Sequence, residues 1–158
     1  MVKFESMRAI ILILFAQVLG SISAVSAGDR SAEEARPRVE HHLLEAEQLV
    51  RHFESVLAQE CPRFGTAGER RAYVDGEVEQ AVLLVAHLDQ AWVEAKRTSD
   101  KDVRRAAKAP RAQVKSAQRL ITKLQTCAGD DGALEPSAIW RRVEQEVPRR
   151  QAEIALPH

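Results

Sequence analysis

VDGEVEQAVLLVAHLDQAWVEA, residues 74–95, is the stretch that decides the fold. Its apolar residues recur at alternating intervals of four and three, a spacing that places their side chains on one face of an α-helix. The members of this stripe are Val74, Val78, Ala81, Val85, Leu88, Trp92 and Ala95. Such a helix commits one face to a core and leaves the other face to water, so it needs other amphipathic helices beside it.

Three further apolar stripes supply the helices that this one needs. The first two consist of Val39, Leu43, Ala46, Val50, Phe53 and Leu57, and of Val103, Ala107, Pro110, Val114, Ala117, Ile121 and Leu124. Short connections favour antiparallel neighbours. A weaker stripe of Trp140, Val143 and Val147 predicts a shorter fourth helix near the C-terminus. The fold class predicted is therefore all-α: an antiparallel three-helix bundle with a shorter fourth C-terminal helix, closed by one disulfide.

The helix boundaries follow from capping and helix-breaking residues, which place the four helices at roughly residues 38–59, 67–97, 100–127 and 136–147. Thr66 with Glu69 fits a capping box at the start of the second helix. Ser31 with Glu34 fits one too, but a helix beginning there would contain Pro37. Because proline is tolerated best in a first turn, we expect the first helix to begin near residue 38. Pro110 predicts a kink or a break in the third helix.

The N-terminal segment has the organisation of a secretory signal. Lys3 and Arg8 precede an apolar run over residues 9–19, and Val25-Ser26-Ala27 ends in small residues. An uncleaved anchor is the alternative, but the run is shorter than the roughly 20 residues that a membrane span needs. We therefore expect residues 1–27 to be a cleavable signal peptide and residues 28–158 to be a single helical domain. Its expected location is periplasmic or extracellular, with no stable membrane insertion after cleavage.

Cys61 and Cys127 are the two cysteines of the chain. In an exported protein such a pair most often forms a disulfide, although free thiols or an intermolecular link are alternatives. An antiparallel arrangement places the end of the first helix and the end of the third at the same pole. The sequence therefore predicts an intramolecular Cys61–Cys127 bridge.

Charge is divided unevenly between the helices, although the whole chain carries 23 basic and 23 acidic residues. That overall balance gives no drive toward nucleic acid. Residues 31–60 have a net charge of −4, and residues 100–127 have a net charge of +6. One interpretation is a cationic face for an acidic protein or an anionic envelope component, carried by Arg104, Lys108, Arg111 and Lys115. The other is that the two oppositely charged helices lie side by side and pair with each other.

A metal site is the alternative functional hypothesis. His41, Glu45 and His52 fall on one face of the first helix, and histidine with carboxylate one turn apart can share a divalent cation. These ligands are few, so they make weak candidates for a metal-binding or metal-sensing protein. His87 has no visible nucleophile or orienting partner. No catalytic residue and no cofactor is indicated, and an all-α enzyme with Arg and Glu inside the bundle is the third hypothesis.

Ile121-Thr122-Lys123-Leu124-Gln125 resembles one L-T-x-x-Q box of the periplasmic stress-adaptor and chaperone family of helical hairpins. The resemblance covers these five residues, with Ile121 in place of Leu, and no second box is present, so no function is carried over from it. The sequence predicts an exported, non-enzymatic helical binding protein. An envelope-stress adaptor, a chaperone-like protein and an inhibitor or immunity protein all fit this description.

Overall fold

All regular secondary structure in the described chain is helical. The structure, a computed structural model, describes residues 30–128 and 135–157, and no strand occurs in them. The elements are α1 (Ala32–Ala58), α2 (Ala67–Lys96), α3 (Lys101–Lys108), a 3-10 segment (Ala109–Gln113), α4 (Val114–Ala128) and α5 (Pro136–Ile154). The prediction of an all-α fold is confirmed. The predicted signal peptide, residues 1–27, lies outside the described residues.

The first helix begins at Ala32, not at residue 38. Ser31 is its N-cap, and the Ser31 hydroxyl accepts a hydrogen bond from the Glu34 backbone N–H at 3.2 Å. Pro37 consequently lies inside α1. The carbonyl that Pro37 leaves without an N–H partner belongs to exposed Glu33, where water can bind it, so the cap offsets the cost of the proline.

The two later prolines act differently. Pro110 breaks the predicted third helix into α3 and α4, because the 3-10 segment begins beside it, and this confirms the expected break. Pro148 does not end α5, which continues to Ile154 instead of stopping at residue 147. Buried Val147 before this proline and half-buried Ile154 after it both pack on the core, which holds the last turns of α5 in place.

The second helix is the centre of the molecule, since α2 contacts α1, α3, α4 and α5. Its predicted stripe is buried or half-buried as expected. It differs from the expected amphipathic helix on its other faces, because four polar side chains there are also buried. These are Glu77, His87, Gln90 and Glu94. A buried polar group must be hydrogen-bonded or it costs stability, so each of these side chains needs a partner from another element.

A covalent bridge joins the ends of α1 and α4. Cys61 and Cys127 form a disulfide with their Cα atoms 5.2 Å apart, which confirms the predicted pairing. At the same pole, Lys123 of α4 donates hydrogen bonds to the carbonyls of Leu57, at 3.0 Å, and Gln59. These carbonyls lie at the C-terminal end of α1, where a cation interacts favourably with the helix dipole.

Crossing a bilayer requires a helix of roughly 20 predominantly apolar residues. None of the described helices combines the necessary length with sufficient apolar character.

Reduction of the disulfide is expected to destabilise the protein by about 4 kcal/mol, because the bridge closes a loop of 66 residues and restricts the unfolded chain. The measurement is urea unfolding of the protein with and without reductant. The double variant Cys61→Ser/Cys127→Ser is the control, and reductant should leave its midpoint unchanged. An equal midpoint for the oxidised and reduced protein would show that the bridge adds no stability.

Candidate functional site

The outer side of α3 and α4 carries a row of exposed basic side chains. We call this row the basic stripe, and its members are Lys101, Arg104, Lys108, Arg111 and Lys115. They follow one another at intervals of three and four residues; Lys101, Arg104 and Lys108 lie in α3, Arg111 in the 3-10 segment and Lys115 in α4. The four residues that the sequence singled out are therefore all exposed on this surface.

The arginines of the basic stripe have partners within the molecule. Arg104 Nε donates to the carbonyl of Thr98 at 2.7 Å, beyond the end of α2. Arg111 Nη2 donates to Asp89 Oδ1 of α2 at 3.0 Å. Both arginines therefore help to hold α3 and the 3-10 segment against α2, and only part of their capacity remains for an external ligand.

The ammonium groups of the lysines in the stripe remain available to an external ligand. Lys101, Lys108 and Lys115 are exposed, and within residues 30–128 and 135–157 they make no ion pair or hydrogen bond. No ion pair in that part of the chain joins an acidic residue of α1 to a basic residue of α3 or α4. Contact between α4 and α1 instead involves Lys123 and the disulfide. Mutual pairing of the two charged helices, the second interpretation of the sequence, is therefore not found.

A second polar site, which the sequence did not reveal, is a buried histidine pair between α1 and α2. The Nδ1 atoms of His42 and His87 lie 3.1 Å apart. His42 is fully buried, and His87 is 8% exposed. His41 is exposed and packs with its ring against both of the others, with ring centroids 5.1 Å from His42 and 6.4 Å from His87.

The hydrogen bond between the two rings requires one Nδ1 to carry a proton and donate it, and the other Nδ1 to be unprotonated and accept the hydrogen bond. His42 Nε2 is buried and has no partner among the described residues. An unpaired buried acceptor is tolerated better than an unpaired N–H. The favoured tautomer therefore has His42 donating through Nδ1 to His87, and a second proton between the rings would place two N–H groups against each other.

Burial of the pair opposes its protonation. Desolvation, followed by the positive charges of His87, His41 and Arg38, lowers the pKa of His42 from 6.5 to about 4. Desolvation also lowers the pKa of His87; the nearby Glu45 carboxylate acts in the opposite direction, and His41 adds to the lowering. Both rings are therefore neutral at neutral pH, which makes them a pair that acid disrupts.

The metal-site candidates lie around this pair without forming a site. Glu45 and His52 line a groove of about 390 Å³ between α1 and α2, together with His87 and four other side chains. His52 Nε2 forms a hydrogen bond with Glu77 Oε2 at 2.8 Å. His41 does not line the groove. In the described ranges, no three His, Cys, Asp or Glu side chains are arranged to hold a metal ion.

Another buried polar cluster lies near the C-terminal end of α2. Glu94 is 1% exposed and forms ion pairs with Arg30, which precedes α1, and with Arg97 at 3.4 Å. Gln90 donates to Glu94 Oε1 at 3.0 Å and accepts from Gln151 of α5 at 3.1 Å. This cluster lines a cavity of about 240 Å³ between α2 and α5. Because its carboxylate is already paired, the cluster is a structural connection between the beginning of the described chain and α5.

The sequence did contain a signal for the histidine pair. The buried positions of α1 are Ala35, Val39, His42, Ala46 and Phe53, and His42 follows Val39 by three residues and precedes Ala46 by four. His42 therefore occupies a seam position, which an analysis restricted to apolar residues assigned to Leu43. His87 lies two residues after Val85, off the apolar stripe of α2, but this position is covered by α1.

Comparison with known proteins gives no relative: no family model, no curated protein and no solved structure matches the chain.

Acidification is expected to weaken the fold through the histidine pair. The pKa of His42 is about 4 in the folded protein and 6.5 in the unfolded chain. The neutral His42 ring therefore stabilises the fold fully above pH 6.5, and this stabilisation is lost as the pH falls toward 4. Between about pH 7.5 and about pH 5, His42 alone should cost roughly 2 kcal/mol. The measurement is urea unfolding at both pH values.

The matched variant is His42→Leu/His87→Leu, which removes both titrating rings from the same buried position. Its stability should fall less between the two pH values than that of the unaltered chain, by the same roughly 2 kcal/mol. Identical pH dependence in the two proteins would contradict the assignment.

Proposed function

We propose that this protein is an exported, non-enzymatic helical protein that binds an acidic protein surface through the basic stripe. One observation carries the proposal: Lys101, Lys108 and Lys115 are exposed at intervals of seven residues and are without an ion pair in the described chain. Seven residues of α-helix rise roughly 10 Å, which is the separation of Lys101 and Lys108 along α3, and Lys115 follows beyond the 3-10 segment. This spacing is comparable to the Debye length of about 8–10 Å at physiological salt, and the fields of neighbouring charges reinforce one another.

The shape of the stripe favours binding over catalysis. Catalytic and cofactor sites are usually concave and lined by apolar groups with a few polar ones. The basic stripe instead lies on the outer face of α3 and α4, where a flat or helical partner can reach all of it. Such complementary charge mainly raises the rate of association and selects the partner.

Export and the bundle arrangement belong to the same proposal. A disulfide is typical of proteins that fold in an oxidising compartment, which supports a location outside the cytosol. The contacts also support antiparallel helices, because His42 meets His87 whereas His52, later in α1, meets Glu77, earlier in α2. In that frame the outer faces of the helices are the surfaces left for a partner.

Charge reversal of the stripe tests the proposal. Lys108→Glu/Lys115→Glu should weaken binding of a fluorescent poly-glutamate peptide at least roughly tenfold at low salt, because two attractive charges become repulsive. Fluorescence anisotropy gives the affinity, and circular dichroism checks that the helix content is unchanged. Anionic lipid vesicles form a second arm of the experiment, and binding to vesicles without binding to the peptide would indicate an envelope lipid in place of a protein.

The matched control is Arg63→Glu/Arg71→Glu, which makes the same change of net charge at exposed positions away from the stripe. It should retain most of the affinity for the peptide. Equal losses in the two double variants would show that net charge alone attracts the peptide and would refute the assignment to the stripe.

A further inference from the structure

We infer that the acidic surface bound by the basic stripe is the outer face of α1 on a second copy of this chain. The inference rests on the proposed function, because it names the partner of the same stripe. It is carried by a row of acidic residues on α1, which the second interpretation of the sequence had expected to pair with the basic helix of the same molecule.

The outer face of α1 carries acidic residues with the same repeat as the lysines. Glu33, Glu40, Glu47 and Glu54 follow one another at intervals of seven and are all exposed. We call this row the acidic stripe. Glu47 forms an ion pair with Arg51 of the same helix, with Arg51 Nη1 2.8 Å from Glu47 Oε1. The other three glutamates make no ion pair within residues 30–128 and 135–157. Lys101 and Lys108 of α3 have the same spacing of seven residues as consecutive glutamates of the acidic stripe, so these two lysines can face two consecutive glutamates of another copy.

An apolar residue stands in the middle of the acidic stripe. Leu44 lies between Glu40 and Glu47 and is 51% exposed, the one large hydrophobic side chain in the described chain that is exposed to this degree. The aliphatic stems of lysines can cover apolar surface while their ammonium groups remain in water. A basic stripe laid on α1 would therefore cover Leu44 with lysine stems and bring their charges to the glutamates on either side.

The fold allows both stripes to pair at once. The disulfide and the Lys123 hydrogen bonds place the ends of α1 and α4 at one pole, so the two stripes run in the same direction on neighbouring helices. A two-fold axis parallel to these helices sets α1 of each copy against α3 and α4 of the other. Such an isologous contact closes on itself, so the expected product is a dimer and not a filament.

The expected association is weak and sensitive to salt, because exposed ion pairs contribute little individually. Sedimentation velocity over about 10 µM to about 1 mM protein, at about 20 mM and about 500 mM NaCl, covers that regime. The mean mass should approach that of a dimer at high protein concentration in low salt and return to that of a monomer in high salt.

Reversed-charge variants make the test specific. Glu40→Lys/Glu54→Lys and Lys108→Glu/Lys115→Glu disturb no ion pair of the described chain, and each alone should remain monomeric. Mixed in equal amounts they should associate, since each reversed stripe then meets a complementary one. A chain with all four substitutions should dimerise as the unaltered chain does. Leu44→Ser should weaken association at least roughly threefold while the helix content stays the same, because the variant loses apolar surface that the lysine stems would cover.

Three outcomes would overturn the inference: a monomeric unaltered chain throughout the low-salt series, dimers that persist in either reversed variant, or no association in the mixture. Its failure can be told from that of the proposed function, because peptide binding is measured separately on dilute protein. A monomer that still binds poly-glutamate through the stripe would keep the proposed function and assign the stripe to a different protein.

Discussion

The burial of α2 over most of its length, from Glu77 to Ala95, is the constraint on which the rest of this structure depends. A helix with one wet face can leave its polar residues there, but α2 contacts every other helix of the described chain. Glu77, His87, Gln90 and Glu94 are consequently removed from water. Each must find a hydrogen bond inside the protein, because burying an unpaired polar group costs more than most single packing contacts contribute.

The partners of these four side chains come from other parts of the fold. His52 and His42 of α1 bind Glu77 and His87. Arg30 and Gln151, near the two ends of the described chain, complete the cluster around Glu94 and Gln90. Polar groups therefore fix the position of α1 and α5 along α2, which apolar packing alone specifies poorly because small sliding movements keep the same area buried. This physical role explains why polar residues occur in the core of so small a protein.

The sequence predicted those features that depend on local chemistry and periodicity. The helical class, the break at Pro110 and the pairing of Cys61 with Cys127 follow from spacing, proline geometry and compartment. The start of α1 was harder to predict, because the stabilisation from the Ser31 cap and the cost of Pro37 inside the helix are of similar size. Tertiary contacts decide between them. The seam position of His42 could be found from the spacing of α1, but its pairing with His87 could not, because only the arrangement of α1 against α2 shows that the off-seam position of His87 is covered. The exposure of the basic residues could be predicted because it follows from their position on the outer face of a helix, but the internal partners of Arg104 and Arg111 could not.

The location of the disulfide has a consequence for how the molecule opens. The covalent tie holds the ends of α1 and α4, whereas the start of α1 and the end of α5 are held by hydrogen bonds from Arg38 to the carbonyls of Leu156 and Pro157. Because the contacts at the pole without the bridge are all noncovalent, we expect that pole to open at a lower free energy than the bridged one. The protection of amide hydrogens from exchange is then expected to rise along the bundle toward the disulfide, so that local opening is confined to one pole.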